Sequence, residues 1–174
     1  NSYWFAFWLE ANPLGETLAT IQEKAFNGDA HYQGVLALFY QHGEYGLSID
    51  LEESERWAKM ASEKKGALGL ATLAALELEQ GNIPKGRFLY DEAYLHTNLR
   101  QLGKNKDALA LFCLGMMEID NPPTNIPKAL RHLEDSAAGG FSPPQAPPPP
   151  PPSGDHSKHG PYPYKLAIGL GLVR

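Results

Sequence analysis

The segment that decides the fold is residues 50–66, which read DLEESERWAKMASEKKG. Asp50 is a favourable helix N-cap, and Glu53 three positions later completes a capping-box pattern. Apolar residues then recur at helical spacing, so we predict an amphipathic helix over 51–63. Gly66 ends the pattern, and glycine suits the left-handed position that closes many helices.

Similar helix endings recur along the chain. Gly28, Gly66 and Gly140 each end a helical pattern, and the intervals between them are 38 and 74 residues, the second being twice 37. A period in the upper thirties is typical of a two-helix repeat. We therefore expect a further repeat boundary near Gly103, within the less regular stretch 96–105.

Each period contains two predicted helices. The first helices begin after Asp29, at 67–76 and at 108–118, and the second helices cover 51–63 and open at Ile83-Pro84-Lys85 and Ile126-Pro127-Lys128. Proline is tolerated in the first turn of a helix, which fits both Ile-Pro-Lys openings.

Small residues recur where two helix backbones would approach closely. They are Ala37, Ala74 and Gly115 on the first helices and Ala61, Ala93 and Ala137 on the second. We expect Tyr40, Trp57, Phe88 and Leu133 to fill the gaps between them. One pair cannot bury its own apolar face, whereas stacked pairs can. The sequence predicts an all-α fold, a right-handed α–α superhelix (solenoid) of about three helix-turn-helix repeats.

The order of these residues resembles the Sel-one-like repeat, a relative of the tetratricopeptide repeat. The clearest matches are 36–66 and 126–140, and the resemblance covers 29–140, about two-thirds of the chain. The middle repeat departs from the pattern. Glu77 stands where a tyrosine is expected, and no Ala-Ala-x-x-Gly follows Ala93.

The resemblance implies a non-catalytic adaptor or scaffold, here assigned to a bacterium, whose first helices line a concave face that holds another protein or a peptide. The residues expected to be exposed there for partner binding are Gln41, His42, Tyr45, Glu77, Arg87 and His96. An alternative is an immunity or inhibitor protein that neutralises a secreted toxin. A second alternative is an enzyme such as a hydrolase, which would bring buried polar residues together in a pocket. An exported or periplasmic location is placed ahead of a cytoplasmic one.

The regions outside the repeats differ in composition. Residues 1–27 are assigned to an aromatic N-terminal capping helix, 28–141 to the repeats, 142–164 to a proline-rich linker that is extended or disordered, and 165–174 to a further helix or a disordered end. The apolar run 3–9 is too short to span a bilayer, which takes about 20 residues; a hydrophobic cap and a membrane-surface anchor remain open. The six prolines of 147–152 predict polyproline II.

The net charge and the potentially reactive residues reduce the number of function classes that the sequence allows. The net charge is −5 without a basic run, which argues against nucleic acid as a partner because phosphate binding requires clustered Lys and Arg. The single cysteine, Cys113, lies in an apolar helical run and is interpreted as a buried, inert thiol. Asp155, His156 and His159 could ligate zinc, but no cysteine completes a site. No catalytic residue, metal or cofactor is expected.

Overall fold

The computed structural model describes residues 15–141, and within that range all regular structure is helical. The helices are α1 (Leu18–Phe26), α2 (Ala30–His42), α3 (Leu51–Glu63), α4 (Ala67–Glu79), α5 (Ile83–His96), α6 (Leu99–Lys104), α7 (Ala108–Asp120) and α8 (Ile126–Ala138). The predicted all-α class is confirmed. The bounds of α3 and the starts of α5 and α8 agree with the sequence prediction.

Neighbouring helices pack in pairs. Helices α2 and α3, α4 and α5, and α7 and α8 pack against each other, α3 also packs on α4, and α2 lies against α4 and α4 against α7. Helix α1 packs on α2, and the short α6 packs on α7. We call α2, α4 and α7 the first helices. Helices α4 and α7 are apolar around most of their circumference, which fits helices enclosed by neighbours on several sides.

The same turn precedes each first helix and follows the last helix. Its residue with positive φ is Gly28, Lys65, Lys106 or Gly140, so successive turns are 37, 41 and 34 residues apart. At the first of them, the N–H of Gly28 donates to the carbonyl of Ala25 at 3.1 Å and the N–H of Asp29 to that of Lys24 at 3.1 Å. The same two hydrogen bonds recur at the other three turns, as in a Schellman motif, and also at Gly81, between α4 and α5.

The prediction that Gly66 takes the left-handed conformation is wrong. Lys65 has a φ of 55°, whereas Gly66 has a φ of −66° and is the N-cap of α4. A Cβ at Gly66 would lie 3.1 Å from the carbonyl oxygens of both Ala30 and Ala61. Glycine is therefore favoured there by the close approach of α2 and α3, and not by its own backbone conformation.

The third boundary lies further along the chain than expected. The turn is at Lys106, because the extra helix α6 holds Gly103 in its interior. A Cβ at Gly103 would lie 2.5 Å from Cδ1 of Leu114, so this glycine lets α6 pack closely on α7.

The N-terminus of α3 confirms half of the predicted capping box. Asp50 accepts a hydrogen bond from the N–H of Glu53 at 3.0 Å. The Glu53 carboxylate pairs with Arg56 at 2.7 Å, while the N–H of Asp50 donates to the carbonyl of Tyr40 at 2.9 Å. The reciprocal bond of a capping box is thus replaced by a bond back to α2.

Close helix packing follows the small residues in most places. Ala37, Ala61, Ala74 and Ala93 are completely buried, and a Cβ at Gly115 would lie 2.8 Å from the Leu133 side chain. The prediction for Ala137 is wrong, since it is exposed and Ser136 takes the buried place. The Ser136 hydroxyl donates to the carbonyl of Ala108 at 2.7 Å, which ties the end of α8 to the start of α7.

The predicted gap-filling residues are confirmed only in part. Trp57 is buried, and Tyr40 and Leu133 are partly buried. The prediction for Phe88 is wrong because its side chain is 60% exposed, and Tyr90, two residues later and 1% exposed, faces the core instead.

An aromatic cluster closes the core beyond α8. Phe141 is buried, with its ring centroid 5.1 Å from that of Phe112 on α7 and 6.5 Å from that of Phe39 on α2. The residue after the last turn therefore links the first and third helix pairs.

Several sequence predictions lie outside the described residues. These are the apolar run 3–9, the proline-rich segment 142–164, the C-terminal segment 165–174 and the group Asp155, His156 and His159. Between residues 15 and 141, no helix combines the length and apolar character needed to cross a membrane.

Candidate functional site

The three first helices can be aligned position by position, because each has 13 residues and follows the same turn. Their ninth positions are Leu38, Ala75 and Met116, and all three of these side chains line one small cavity. The three helices therefore face a common space, which residues from the middle of α4 and α7 also line. We call this space the inner cavity.

The inner cavity is small, and most of its lining surface is apolar. Its volume is about 20 Å³ and it is not sealed from the surface. A cavity of that size has room for about one water molecule. Its polar lining consists of Gln41 and His42 from α2, Thr72 and Glu79 from α4, Tyr90 from α5 and Cys113 from α7.

Several of these polar groups have no protein partner. Thr72 is 1% exposed, and its Oγ1 makes no hydrogen bond. Oε1 of Glu79 is likewise buried and makes none. Buried polar atoms are nearly always hydrogen-bonded in native proteins, so Thr72 Oγ1 and Glu79 Oε1 are exceptions among the residues that line the cavity.

The carboxyl groups beside the cavity are held in a nonpolar environment. Burial, together with the charge of nearby Asp120, raises the pKa of Glu79 to about 7. Burial also raises the pKa of Asp120 to about 7, against the opposing effect of the Tyr90 hydroxyl, which donates to its Oδ2 at 2.8 Å. Near neutral pH both carboxyl groups are therefore partly protonated.

The remaining titratable groups of the lining are neutral. Burial lowers the pKa of His42 to about 4 and raises that of the Cys113 thiol to about 12. The prediction of a buried Cys113 is confirmed, and its protonated thiol is a poor nucleophile. The cavity therefore combines hydrogen-bond acceptors with the negative charge that Glu79 carries when ionised.

The predicted partner-binding residues are distributed differently from the expectation. Gln41, His42 and Glu77 are only 5%, 7% and 3% exposed, so the prediction that they are exposed is wrong. Each lies on a first helix, and these helices are enclosed by their neighbours. Of the six residues, only Gln41 and His42 line the inner cavity.

The other three candidates lie elsewhere. Arg87 and His96 are exposed on α5, and His96 lies 3.8 Å from the Glu92 carboxylate. Tyr45 is partly buried and stacks on Phe39 with 4.2 Å between ring centroids. The structure therefore does not bring the six predicted residues into one surface.

Glu77 holds α4 and α5 together. Its carboxylate lies 2.6 Å from the Lys85 ammonium and accepts a hydrogen bond from the Asn82 amide at 2.7 Å. The hydrogen bond from Lys85 is the main cause that lowers the pKa of Glu77. At the equivalent place in the third pair, Glu118 lies 2.8 Å from Lys128. Each lysine belongs to an Ile-Pro-Lys segment that opens a second helix.

The sequence analysis missed Thr72, Glu79, Tyr90 and Asp120. A signal for two of them was present: His42, Glu79 and Asp120 occupy the last positions of α2, α4 and α7. The alignment that reveals this requires the turn at Lys106, which glycine spacing did not predict. Among residues 15–141 no three His, Cys, Asp or Glu side chains lie close enough together to hold a metal ion.

Comparisons with known proteins add no further assignment. No protein-family model, curated protein or solved structure matches the chain.

Proposed function

We propose that this chain is a non-catalytic binding scaffold built as a right-handed solenoid of three helix pairs similar to Sel-one-like repeats. The observation that supports it best is the turn at Gly28, Lys65, Lys106 and Gly140, which recurs with the same hydrogen bonds. The Glu77–Lys85 and Glu118–Lys128 ion pairs, at equivalent places in two pairs, add to that support. Stacked helix pairs of this kind present extended surfaces to partners.

The partner is a protein or peptide that contacts the first helices beside the inner cavity. The acceptors there lack hydrogen-bond donors, and the chain has a net charge of −5, so a basic segment is the complementary partner.

The test is a partner-capture experiment with matched variants. Ala75→Arg places a bulky cation at the cavity, and Glu134→Arg adds a cation at an exposed position of α8. We expect the wild type and Glu134→Arg to retain one stoichiometric partner from the source lysate, and Ala75→Arg to lose it while remaining helical by circular dichroism. Equal retention by all three proteins would contradict the proposal.

A second candidate is an immunity or inhibitor protein, which the net charge of −5 favours if the toxin is basic. It would use the same surface for one tight cognate partner. Coexpression with toxins encoded by neighbouring genes tests it, and failure of every pair to restore growth would count against it.

The buried polar residues at the inner cavity are also the feature expected of an enzyme. Three observations favour binding over hydrolysis. The space admits only about one water-sized group, the Cys113 thiol has a pKa of about 12, and Asp120 is bonded to Tyr90 without lining the cavity. Loss of hydrolytic activity in Glu79→Gln, for any ester or glycoside that the wild type cleaves, would reverse this preference.

A further inference from the structure

Helix α5, the second helix of the middle pair, carries large apolar side chains on its outer face. Phe88 is 60% exposed and Leu95 is 56% exposed. They lie seven positions apart, so both side chains project from the same side of the helix, opposite to the buried Tyr90 and Ala93. Pro84, exposed one turn before Phe88, lies on the same side. We call Pro84, Phe88 and Leu95 the outer stripe.

Among the three helix pairs, Phe88 and Leu95 are particular to the middle one. Helices α3, α5 and α8 align position by position, because the fourth and eleventh residues of each are buried, namely Ser54, Gly86 and Ala129, and Ala61, Ala93 and Ser136. The residues that correspond to Phe88 and Leu95 are charged or small, and all are exposed: Arg56 and Glu63 on α3, and Arg131 and Ala138 on α8. The fold therefore does not require large apolar residues at these positions, and packing within the pair does not account for them.

Opposite charges flank the outer stripe on both sides. At about 100° per residue, Arg87 and Asp91 lie along one side of it, and Lys85 and Glu92 lie along the other. On each side the cation precedes the anion along the helix. Arg87, Asp91 and Lys85 are exposed, and Glu92 is partly buried. An apolar centre with a charged rim is the arrangement typical of a protein–protein interface.

We propose that the outer stripe is a self-association surface, on which a second copy of the chain packs its own α5 in the antiparallel direction. The twofold axis passes beside Phe88, so the Phe88 rings of the two copies are in contact. Pro84 of each copy then lies against Leu95 of the other, because the two positions differ by only about 5 Å along the helix axis. The inference goes beyond the proposed function and does not rest on it.

The flanking charges select this arrangement. About an antiparallel twofold axis at Phe88, the same sides of the two helices meet, which places Arg87 beside the second copy's Asp91 and Lys85 beside the second copy's Glu92. The offset along the axis is about 3 Å or less for both pairs. A parallel twofold pair would instead bring Arg87 to Lys85 and Asp91 to Glu92. Like charges would then meet on both sides, so the charge pattern favours the antiparallel dimer.

Contacts within the chain already position two of the charged side chains. The Asn121 amide donates to Oδ1 of Asp91 at 3.3 Å, and the Lys85 ammonium lies 2.6 Å from the Glu77 carboxylate. The Lys85 side chain is still 58% exposed. Side chains that are held in place before binding lose less conformational entropy when the interface forms.

The size of the surface predicts a weak and reversible dimer. One helix face buries less than the about 800 Å² per partner of a standard interface, so we expect a dissociation constant of about 10–200 µM. Tyr90, on the opposite side of α5, lines the inner cavity. The self-association surface is therefore separate from that cavity.

The test is sedimentation equilibrium of the full chain between about 5 and 500 µM. We expect the wild type to pass from monomer to dimer over this range. Phe88→Ser should raise the dissociation constant about tenfold or more, because it removes the aromatic contact on the twofold axis. Arg131→Ser, the matched change at the corresponding position of α8, should leave the constant within about twofold. Circular dichroism and urea unfolding at about 1 µM, where the chain is monomeric, check that both variants fold.

A charge exchange tests the direction of the two helices. Arg87→Asp should weaken the dimer about fivefold, because the new carboxylate faces the second copy's Asp91. Adding Asp91→Arg to the same chain restores opposite charges and should return the dissociation constant to within about twofold of wild type. In a parallel pair, Arg87→Asp alone would strengthen association, because its carboxylate would face Lys85.

A chain that stays monomeric up to about 500 µM would overturn the proposal, as would a dimer that Phe88→Ser does not weaken. Strengthening by Arg87→Asp, or failure of the double variant to restore association, would overturn the antiparallel arrangement. A monomeric chain that holds a different protein through Phe88 would overturn the assignment to a second copy.

Discussion

Two carboxylates near the end of α4, two residues apart, lie in opposite environments. Glu77 faces α5 and pairs with Lys85 and Asn82, and its pKa is lowered mainly by the hydrogen bond from Lys85. Glu79 faces the inner cavity with Oε1 unpartnered, and burial raises its pKa to about 7. The difference teaches that a hydrogen-bonding partner, and not burial alone, decides the direction in which the pKa of an enclosed carboxylate is shifted.

Removing the paired carboxylate should have the largest effect on stability. Glu77→Ala leaves Lys85 and Asn82 without their acceptor, and we expect a loss of about 2 kcal/mol in the free energy of unfolding by urea. Glu77→Gln keeps acceptor and donor groups in place, so its loss should be about half as large. Equal, negligible losses in both variants would show that this ion pair does not hold α4 to α5.

The unpartnered hydroxyl of Thr72 gives a reciprocal pair of substitutions. Thr72→Val removes a buried, unsatisfied polar group at constant shape and should stabilise the fold by about 1 kcal/mol. Val35 occupies the equivalent position of α2 and is completely buried, so Val35→Thr should destabilise by about 1–2 kcal/mol. Thermal and urea unfolding of both variants check this, and destabilisation by Thr72→Val would mean that the hydroxyl has a partner.

The two glutamates should also affect stability in different pH ranges. Because the folded-state pKa of Glu79 is above its unfolded value, its contribution is full at low pH and is lost as pH rises through about 7. Glu77 has a lowered pKa, so its contribution is full above the unfolded pKa and is lost as pH falls below it.

Urea unfolding between pH 6 and 8.5 measures this contrast. Glu79→Gln should reduce the wild-type fall in stability over that range by about 1 kcal/mol, after allowance for partial exposure. Glu77→Gln should leave that fall unchanged. Part of the wild-type fall should persist in Glu79→Gln, because burial also raises the pKa of Glu44 and Asp120 to about 7. The same pH profile in wild type and Glu79→Gln would contradict the assignment.

The smallest effect is expected on the exposed side of α5. Phe88→Ser should change the free energy of unfolding by less than about 0.5 kcal/mol, because the Phe88 side chain is 60% exposed. Tyr90→Phe, two residues away, removes the hydrogen bond to Asp120 and should cost about 1 kcal/mol in a parallel urea titration. A larger loss of unfolding free energy from Phe88→Ser than from Tyr90→Phe would contradict this orientation of α5, in which Phe88 faces outward and Tyr90 faces the core.

The predictable part of the fold was encoded locally. N-cap and periodicity signals gave the bounds of α3, and the Ile-Pro-Lys segments gave the starts of α5 and α8. Glycine spacing was less informative, because Lys65 and Lys106 occupy the turn position in two of the four turns. A glycine-based alignment therefore misplaced the third boundary, and α6 has no counterpart before the other first helices.

The candidate site could not be predicted because it depends on three helices distant in sequence. Gln41 and His42 were expected to be exposed, but the neighbouring first helix encloses them. Thr72 and Glu79 stand out only once α2, α4 and α7 are in register. Asp120 accepts its hydrogen bond from Tyr90, which belongs to another helix pair. On α5 the sequence favoured Phe88 as the core aromatic residue, whereas Phe88 is exposed and Tyr90 is buried.

The most direct measurement is a carbon-13 NMR titration of the Glu77 and Glu79 carboxyl groups. We predict that Glu79 titrates near pH 7, while Glu77 titrates below the ordinary glutamate value. A Glu79 carboxyl group that titrates at or below the ordinary glutamate value would contradict the account.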